Sequence, residues 1–147
     1  MMKESFDIAV KLTLNLEGNN VYTNDPDDPG GETKYGICKK YNPTVDIKNL
    51  TLDQAKEIYY QKYWVPAGCN DVSFPMDLCL FDSQVTPQND PNLPGGGNQE
   101  ILNLHPEDWH EYMIFRMQRY MRCSKPKWVK GHIFRVLKLC EEIKKLL

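Results

Sequence analysis

Residues 17–37 read EGNNVYTNDPDDPGGETKYGI, and this stretch decides how the sequence is interpreted. A loop rich in Asp, Pro and Gly at 24–31 separates two short runs of β-forming residues, Val21–Thr23 and Thr33–Ile37. Such loops connect strands because Gly, Pro and Asp readily adopt the backbone angles that turns require. The stretch therefore predicts a small β-hairpin with a long, irregular tip.

Helices are predicted on both sides of this hairpin. Residues 3–17 carry apolar side chains at helical spacing, and Gly18 is placed to end that helix. Downstream, the patterns predict helices at 51–64, 76–85, 99–104, 106–122 and 133–147, with a loop at 87–97. The predicted fold class is therefore α+β and predominantly helical, with one small hairpin near the N-terminus packed beside a helical lobe.

Three local patterns add detail to these helices. Thr51 followed by Gln54 matches a capping box and marks a helix start. Pro106 suits the first turn of the fifth helix. The core stripe predicted for the last helix consists of Ile133, Val136, Leu137, Cys140, Ile143 and Leu147.

Length and composition restrict the class of protein. A chain of 147 residues, 41% hydrophobic and 26% charged, has the size and composition of one globular domain, so we expect a single domain over 1–147. Five widely spaced cysteines without a CxxC pair argue against a zinc ribbon and a disulfide framework. The three histidines lack metal-ligand spacing, so we expect neither a metal nor another cofactor. No apolar run is long enough to span a membrane, and the first residues do not resemble a signal peptide.

Charge is unevenly distributed, although the net charge is only −2. Residues 1–115 hold eight basic and 18 acidic side chains, whereas residues 116–147 hold ten basic and two acidic ones. A basic C-terminal third could bind nucleic acid, anionic lipid or an anionic cell-wall polymer. The alternative, which we expect, is a helix surface that faces the acidic part of its own domain, with no nucleic-acid partner.

Glu17 is the residue with the clearest catalytic potential. It follows Val10 and Leu14 at helical spacing, so its carboxyl group is expected beside the apolar face in the last helical turn. Partial burial and the negative end of the helix dipole both disfavour the ionised form, and both are expected to raise the pKa of Glu17. A carboxylic acid that keeps its proton near neutral pH is what a general acid in glycoside cleavage requires.

The segment resembles the opening of glycoside hydrolase family 108, the muramidases once called secretion-activator proteins. The resemblance rests on Glu17 and on the DPDDPGGET run at 25–33, and it continues through the helix ending at Trp64 and the Leu80–Asp82 triplet. Near the C-terminus, His132 stands where the family has tryptophan. Residues 83–87 also depart from the family, which usually has Ala-Val-Asn-x-Gly after the aspartate.

The resemblance implies a lysozyme-like fold and hydrolysis of the β-1,4 bond between N-acetylmuramic acid and N-acetylglucosamine in peptidoglycan. Glu17 would protonate the departing glycosidic oxygen. A second carboxylate would orient or deprotonate a water, or stabilise the oxocarbenium-like transition state. Asp27 is the first candidate for this second role, followed by Asp28 and Asp25, and the hydroxyl of Thr33 would hold the water.

Four further side chains are expected to contact the sugar, namely Tyr22, Tyr35, Trp64 and Asp82. Aromatic faces stack on the apolar faces of pyranose rings, which favours the three aromatic residues. The sequence leaves the stereochemical outcome open. A separation of about 6.5–9.5 Å between the two carboxyl groups gives inversion, and one of about 5–5.5 Å gives retention.

Two alternative functions stay open. A lytic transglycosylase uses one glutamate and forms a 1,6-anhydro product without water, whereas a catalytically lapsed virion or secretion component would only bind the cell wall. In each case the partner is the glycan strand of peptidoglycan, and we expect a monomer without a separate peptidoglycan-binding module. Without a signal peptide, the chain would be made in the cytoplasm and reach the periplasm or cell wall through a holin, a secretion route or a virion.

Overall fold

The computed structural model describes residues 3–17, 20–86, 97–122 and 126–147, without the side chains of Glu17 and residues 126–128. These ranges contain six α-helices and one two-stranded antiparallel sheet, in agreement with the predicted α+β, predominantly helical fold. In chain order the elements are α1 Glu4–Glu17, β1 Thr33–Lys34, β2 Ile37–Cys38, α2 Leu52–Tyr59, α3 Met76–Val85, α4 Gly97–Leu102, α5 Trp109–Tyr120 and α6 Pro126–Leu146. None of these helices is long and apolar enough to cross a membrane.

Helix α1 ends at the residue that the sequence predicts. Its buried face contains Phe6, Val10 and Leu14, which recur every four residues and therefore lie on one side of the helix. Phe6 packs edge-on against the aromatic core, with ring centroids 5.2 Å from Trp64 and 6.2 Å from Phe81. This packing fixes the direction of α1 against α3 and hence the place where the chain leaves the helix.

The predicted pairing of Val21–Thr23 with Thr33–Ile37 is wrong, because the observed hairpin pairs β1 with β2 and the predicted second strand itself contains the turn. The turn residues, Tyr35 and Gly36, both have positive φ angles of 53° and 73°, as a type I′ turn requires. The predicted first strand, Val21–Thr23, contributes only a single bridge from Thr23 to Thr33. The irregular tip is therefore a separate loop that closes onto the base of a tight two-residue hairpin.

Helix α2 holds the hairpin in place. It begins with the predicted capping box, in which Thr51 and Gln54 exchange side-chain and backbone hydrogen bonds. The buried Tyr59 donates a hydrogen bond of 2.6 Å from its hydroxyl to the carbonyl oxygen of Tyr35 in the hairpin turn. Beyond Tyr59 the helix widens into a π-helical turn at Tyr60–Trp64, so the helical segment reaches Trp64 as predicted.

Helix α3 matches its predicted bounds, but the next two helices begin earlier or later than expected. Helix α4 starts at Gly97, and the rest of the predicted loop at 87–97 lies outside the described residues. Helix α5 starts at Trp109 rather than at Pro106. The reason is that the Asp108 carboxylate accepts a hydrogen bond of 2.9 Å from the Glu111 amide and caps the helix there.

The core face of α6 differs from the predicted stripe. Val136 and Ile143 are buried as predicted, but Leu137 is 55% exposed, whereas Leu139 is only 3% exposed. Leu147 is also exposed and lies beyond the end of the helix. Because a helix turns about 100° per residue, Leu139 lies on the side of Val136 and Ile143, and Leu137 points away from the core.

Candidate active site

A cleft of about 700 Å³ lies between the hairpin and the helical lobe. This volume falls within the usual range for small-molecule sites. Gly36, Cys38 and Tyr41 line the hairpin side. The lobe contributes Lys62, Tyr63, Val85, Thr86 and His132. The cleft therefore combines aromatic surface with hydroxyl, ammonium and imidazole groups, which suits a polar ligand with apolar faces such as a sugar.

His132 is held in the cleft by an aromatic contact. Its ring stacks on Tyr120 of α5, with centroids 4.5 Å apart and planes inclined by 17°. Burial lowers the pKa of His132, and the nearby guanidinium groups of Arg116 and Arg135 lower it further. The imidazole is therefore neutral at pH 7 and can both donate and accept a hydrogen bond.

Asp82 lies beneath the cleft in a buried ion cluster and not on its surface. Its carboxylate is 2.8 Å from the Arg116 guanidinium and 2.9 Å from that of Arg135. Burial alone would raise the pKa of Asp82, but the two guanidinium groups hold it below its usual value. Since Asp82 is only 2% exposed, the expectation that it contacts substrate is wrong, and its role is to tie α3 to α5 and α6.

The same cluster holds one wall of the cleft. The Thr86 hydroxyl donates a hydrogen bond of 2.8 Å to the carbonyl oxygen of Asp82 and accepts one of 3.0 Å from Arg116. Thr86 therefore lines the cleft in an orientation that the ion cluster sets. Neither Thr86 nor His132 was a predicted site residue, because only tertiary packing brings α3 and α6 to the same cleft.

Trp64 is part of the hydrophobic core and does not line the cleft. It is 0% exposed, and its indole nitrogen donates a hydrogen bond of 2.8 Å to the side chain of Asn70. Because no face of the indole reaches solvent, the expectation that Trp64 stacks on a sugar is wrong.

Two of the three candidate aspartates shape the acidic loop. The Asp25 carboxylate accepts a hydrogen bond of 2.9 Å from the backbone N–H of Asp27, and Asp28 accepts one of 2.8 Å from that of Gly30. These are two successive Asx turns. The Asp27 carboxylate accepts no hydrogen bond from any described residue. The loop therefore leaves Asp27 as the candidate whose charge is not already used by the backbone.

Thr33 lies half-buried where this loop enters the hairpin. Its backbone exchanges two hydrogen bonds of 2.9 Å with Thr23, whereas its hydroxyl makes only a long contact of 3.4 Å to the carbonyl oxygen of Gly31. Gly31 adopts a φ of 72°, a conformation that favours glycine. The fixed backbone and weakly held hydroxyl of Thr33 suit a group that binds a water.

Tyr22 and Tyr35 are half-buried, and neither lines the cleft. The Tyr22 hydroxyl donates a hydrogen bond of 2.7 Å to the Glu32 carboxylate, and this bond raises the pKa of Tyr22. Glu32 is a further carboxylate beside Thr33 that the sequence did not rank for catalysis. Its hydrogen bond with Tyr22 forms only because the loop at 24–31 brings the two residues together, and residue spacing alone does not reveal this.

Glu17 is the last residue of α1, and its side chain lies outside the described part of the chain. Its catalytic role therefore stays a prediction. In the ranges that the structure covers, no group of three or more His, Cys, Asp or Glu side chains is arranged to hold a metal ion.

Comparisons with known proteins identify the family. The family model described as Glycosyl hydrolase 108 matches residues 10–87, more than half of the chain. The structure of SagA from Brucella abortus is similar over 98% of this chain and 96% of SagA, with a TM-score of 0.67 and 18% sequence identity. At this identity the likeness shows the fold, which is α+β and lysozyme-like as predicted. No curated protein matches the chain. Because the matched residues run from α1 through the acidic loop, hairpin and α2 to the end of α3, the chain belongs to the glycosyl hydrolase 108 family, and its membership supports a peptidoglycan hydrolase.

Proposed function

We propose that the chain is an N-acetylmuramidase that hydrolyses the β-1,4 bond between N-acetylmuramic acid and N-acetylglucosamine. The observation that carries this proposal is the acidic loop, in which two aspartates are used by the backbone and Asp27 is left available. A second supporting feature is the cleft at the hairpin turn. Gly36 of the cleft is three residues from Thr33, so their backbones lie within about 11 Å of each other.

In the proposed reaction, Glu17 transfers its proton to the glycosidic oxygen as the bond from that oxygen to the anomeric carbon breaks. A water held by Thr33 adds to the anomeric carbon, and its proton passes to the Asp27 carboxylate. This division of roles needs one protonated and one ionised carboxyl group. Asp27 is exposed, so its carboxylate is open to solvent, while Glu17 is expected to stay protonated at the helix end.

The cleft would bind the sugar ring next to the scissile bond. His132 supplies a neutral ring that can hydrogen-bond to hydroxyl or N-acetyl groups, and Thr86 supplies a fixed hydroxyl. Tyr22 and Tyr35 remain proposed contacts for sugars that extend beyond the cleft towards the acidic loop. We also propose that the protein acts in the periplasm or cell wall, where a substrate of this kind is found.

Replacing Asp27 by Asn is expected to lower the rate of peptidoglycan hydrolysis about 100-fold or more, because the amide cannot accept a proton. Asp25→Asn and Asp28→Asn are the matched controls. An asparagine oxygen still accepts the Asx-turn hydrogen bond, so these two variants are expected to keep the loop and most of the activity. The activity of each variant is measured as the rate at which a suspension of cells without their outer membrane loses turbidity. An equal fall in activity in all three variants would contradict the assignment of Asp27.

Replacing His132 by Ala is expected to raise KM for peptidoglycan several-fold while kcat changes less than twofold, because the ring binds the substrate but transfers no proton. His110→Ala is the control, since His110 is exposed and lies outside the cleft. A fall in kcat with unchanged KM would show that His132 does not act as a binding residue.

A further inference from the structure

Helix α6 carries an outward face that the core does not use. Seven of its side chains fall within an arc of about 120°, since an α-helix turns about 100° per residue. They are Lys130, Phe134, Leu137, Lys138, Glu141, Lys144 and Lys145, which we call the α6 outer face. Four are lysines, one is acidic, and the two large apolar residues, Phe134 and Leu137, are 69% and 55% exposed.

The four arginines of the C-terminal third form ion pairs within the fold. Arg116 and Arg135 pair with Asp82, and two further arginines of α5 and its end pair with Glu100. These arginines confirm the expectation that basic residues of the C-terminal third face acidic residues of the same domain. The α6 outer face is different, because its lysines have only acidic residues of their own helix as ion-pair partners among the described residues.

The two apolar side chains decide between the anionic partners that lysines could bind. A polyanion offers phosphates to the lysines but no apolar medium for Phe134 and Leu137. A second copy of the chain, docked by the same face about a twofold axis, would place lysines against lysines. An anionic phospholipid bilayer offers both charged headgroups and an apolar layer.

We infer that the α6 outer face docks on the surface of an anionic phospholipid bilayer. Phe134 and Leu137 enter the boundary between headgroups and acyl chains, and the surrounding lysines contact the lipid phosphates. The docking is peripheral, since no described helix can span a membrane. Its strength depends on both apolar contact and charge, which distinguishes it from binding to a soluble polyanion.

The geometry of α6 also sets how the docked molecule is oriented. His132 lies about 160° around the helix from Phe134, so the cleft lies on the opposite side of α6 from the docked face. If the proposed muramidase function holds, a chain docked in this way presents its cleft towards the cell wall. The docking itself does not depend on that function, because it uses a different face.

Vesicle co-sedimentation of the full chain tests the inference. We expect the chain to bind vesicles of phosphatidylglycerol mixed with phosphatidylcholine at least tenfold more strongly than vesicles of phosphatidylcholine alone. The double variant Phe134→Ser/Leu137→Ser is expected to lose at least tenfold in binding to the anionic vesicles. Its control is Leu104→Ser/Ile114→Ser, which removes two exposed apolar side chains from other surfaces and is expected to bind like the wild type.

Charge is tested in the same assay with Lys144→Glu/Lys145→Glu, for which we also expect at least a tenfold loss. Lys11→Glu/Lys48→Glu makes the same change in net charge at exposed positions outside α6 and is expected to lose less than threefold. Melting temperatures establish that each variant is folded.

Three results would overturn the inference. One is the absence of binding to anionic vesicles. Another is that Phe134→Ser/Leu137→Ser binds anionic vesicles as strongly as the wild type while Lys144→Glu/Lys145→Glu does not. That result would indicate a site for a polyanion. The third is a dimer in sedimentation equilibrium that the apolar variant dissociates, which would make the face an interface between copies. If the wild type shows no muramidase activity, this would contradict the proposed function but not the docking inference, which the vesicle assay tests separately.

Discussion

Replacing Glu17 by Gln is expected to reduce peptidoglycan hydrolysis at least 100-fold while the melting temperature stays nearly unchanged. Glutamine has the shape of glutamic acid but no proton that it can transfer to the glycosidic oxygen. The position at the C-terminal end of α1 supports this role, because the helix carbonyls there disfavour a negative charge. The same environment is expected to keep Glu17 protonated at the pH at which the enzyme works.

Glu4→Gln is the matched control, since it makes the same change at the exposed N-terminal end of the same helix. This variant is expected to keep its full hydrolytic rate. Its melting temperature is expected to fall only slightly, because an acid in the first turn stabilises a helix by about 0.3–1 kcal/mol. Comparable hydrolysis by Glu17→Gln and the wild type would remove Glu17 from the reaction.

Replacing Asp82 by Asn is expected to lower the free energy of unfolding by about 3–5 kcal/mol, or the Tm by roughly 10 °C. The variant leaves the guanidinium groups of Arg116 and Arg135 inside the protein without the carboxylate that balances them. Thermal unfolding followed by circular dichroism measures the loss. Asp7→Asn is the control, because its ion pair with Lys56 lies at the surface and is expected to contribute less than about 1 kcal/mol.

The stabilisation from Asp82 also predicts a pH dependence. The folded-state pKa of Asp82 is lowered, so its contribution is complete above the ordinary carboxyl value of 3.8 and is lost as the pH falls through the folded-state value. The difference in Tm between the wild type and Asp82→Asn is therefore expected to be constant from pH 7 to about pH 5 and to shrink only at lower pH. Two results would show that the ion cluster does not stabilise the fold. One is a difference in Tm that vanishes already at pH 6, and the other is a loss of unfolding free energy in Asp82→Asn as small as that in Asp7→Asn.

Features with local signals were predictable from the sequence. The end of α1 at Glu17, the capping box at Thr51 and the bounds of α3 all depend on residues within a few positions of one another. The family resemblance was carried by such a local run as well, at 25–33, and the comparison with the Glycosyl hydrolase 108 model confirms it.

Features that depend on tertiary packing were not predictable. The sequence around an aspartate in an apolar run does not show whether the side chain binds substrate or an arginine. For Asp82 the arginine partners lie far along the chain, on α5 and α6. The sequence predicts Trp64 in a sugar site because tryptophan suits both a cleft and a core, and only the packing around Phe6 decides between them. The prediction places Leu137 in the core of α6, whereas the structure buries Leu139. The sequence does not decide between them, since each leucine fits a helical stripe of slightly different direction.

The most direct test of the proposed reaction is mass spectrometry of the fragments released from purified peptidoglycan by the purified chain. A muramidase is expected to release fragments that end in a reducing N-acetylmuramic acid and therefore include the mass of one added water. Fragments that end in 1,6-anhydro-N-acetylmuramic acid, lighter by that water, would show a lytic transglycosylase instead. A glycan strand left intact would contradict catalysis altogether.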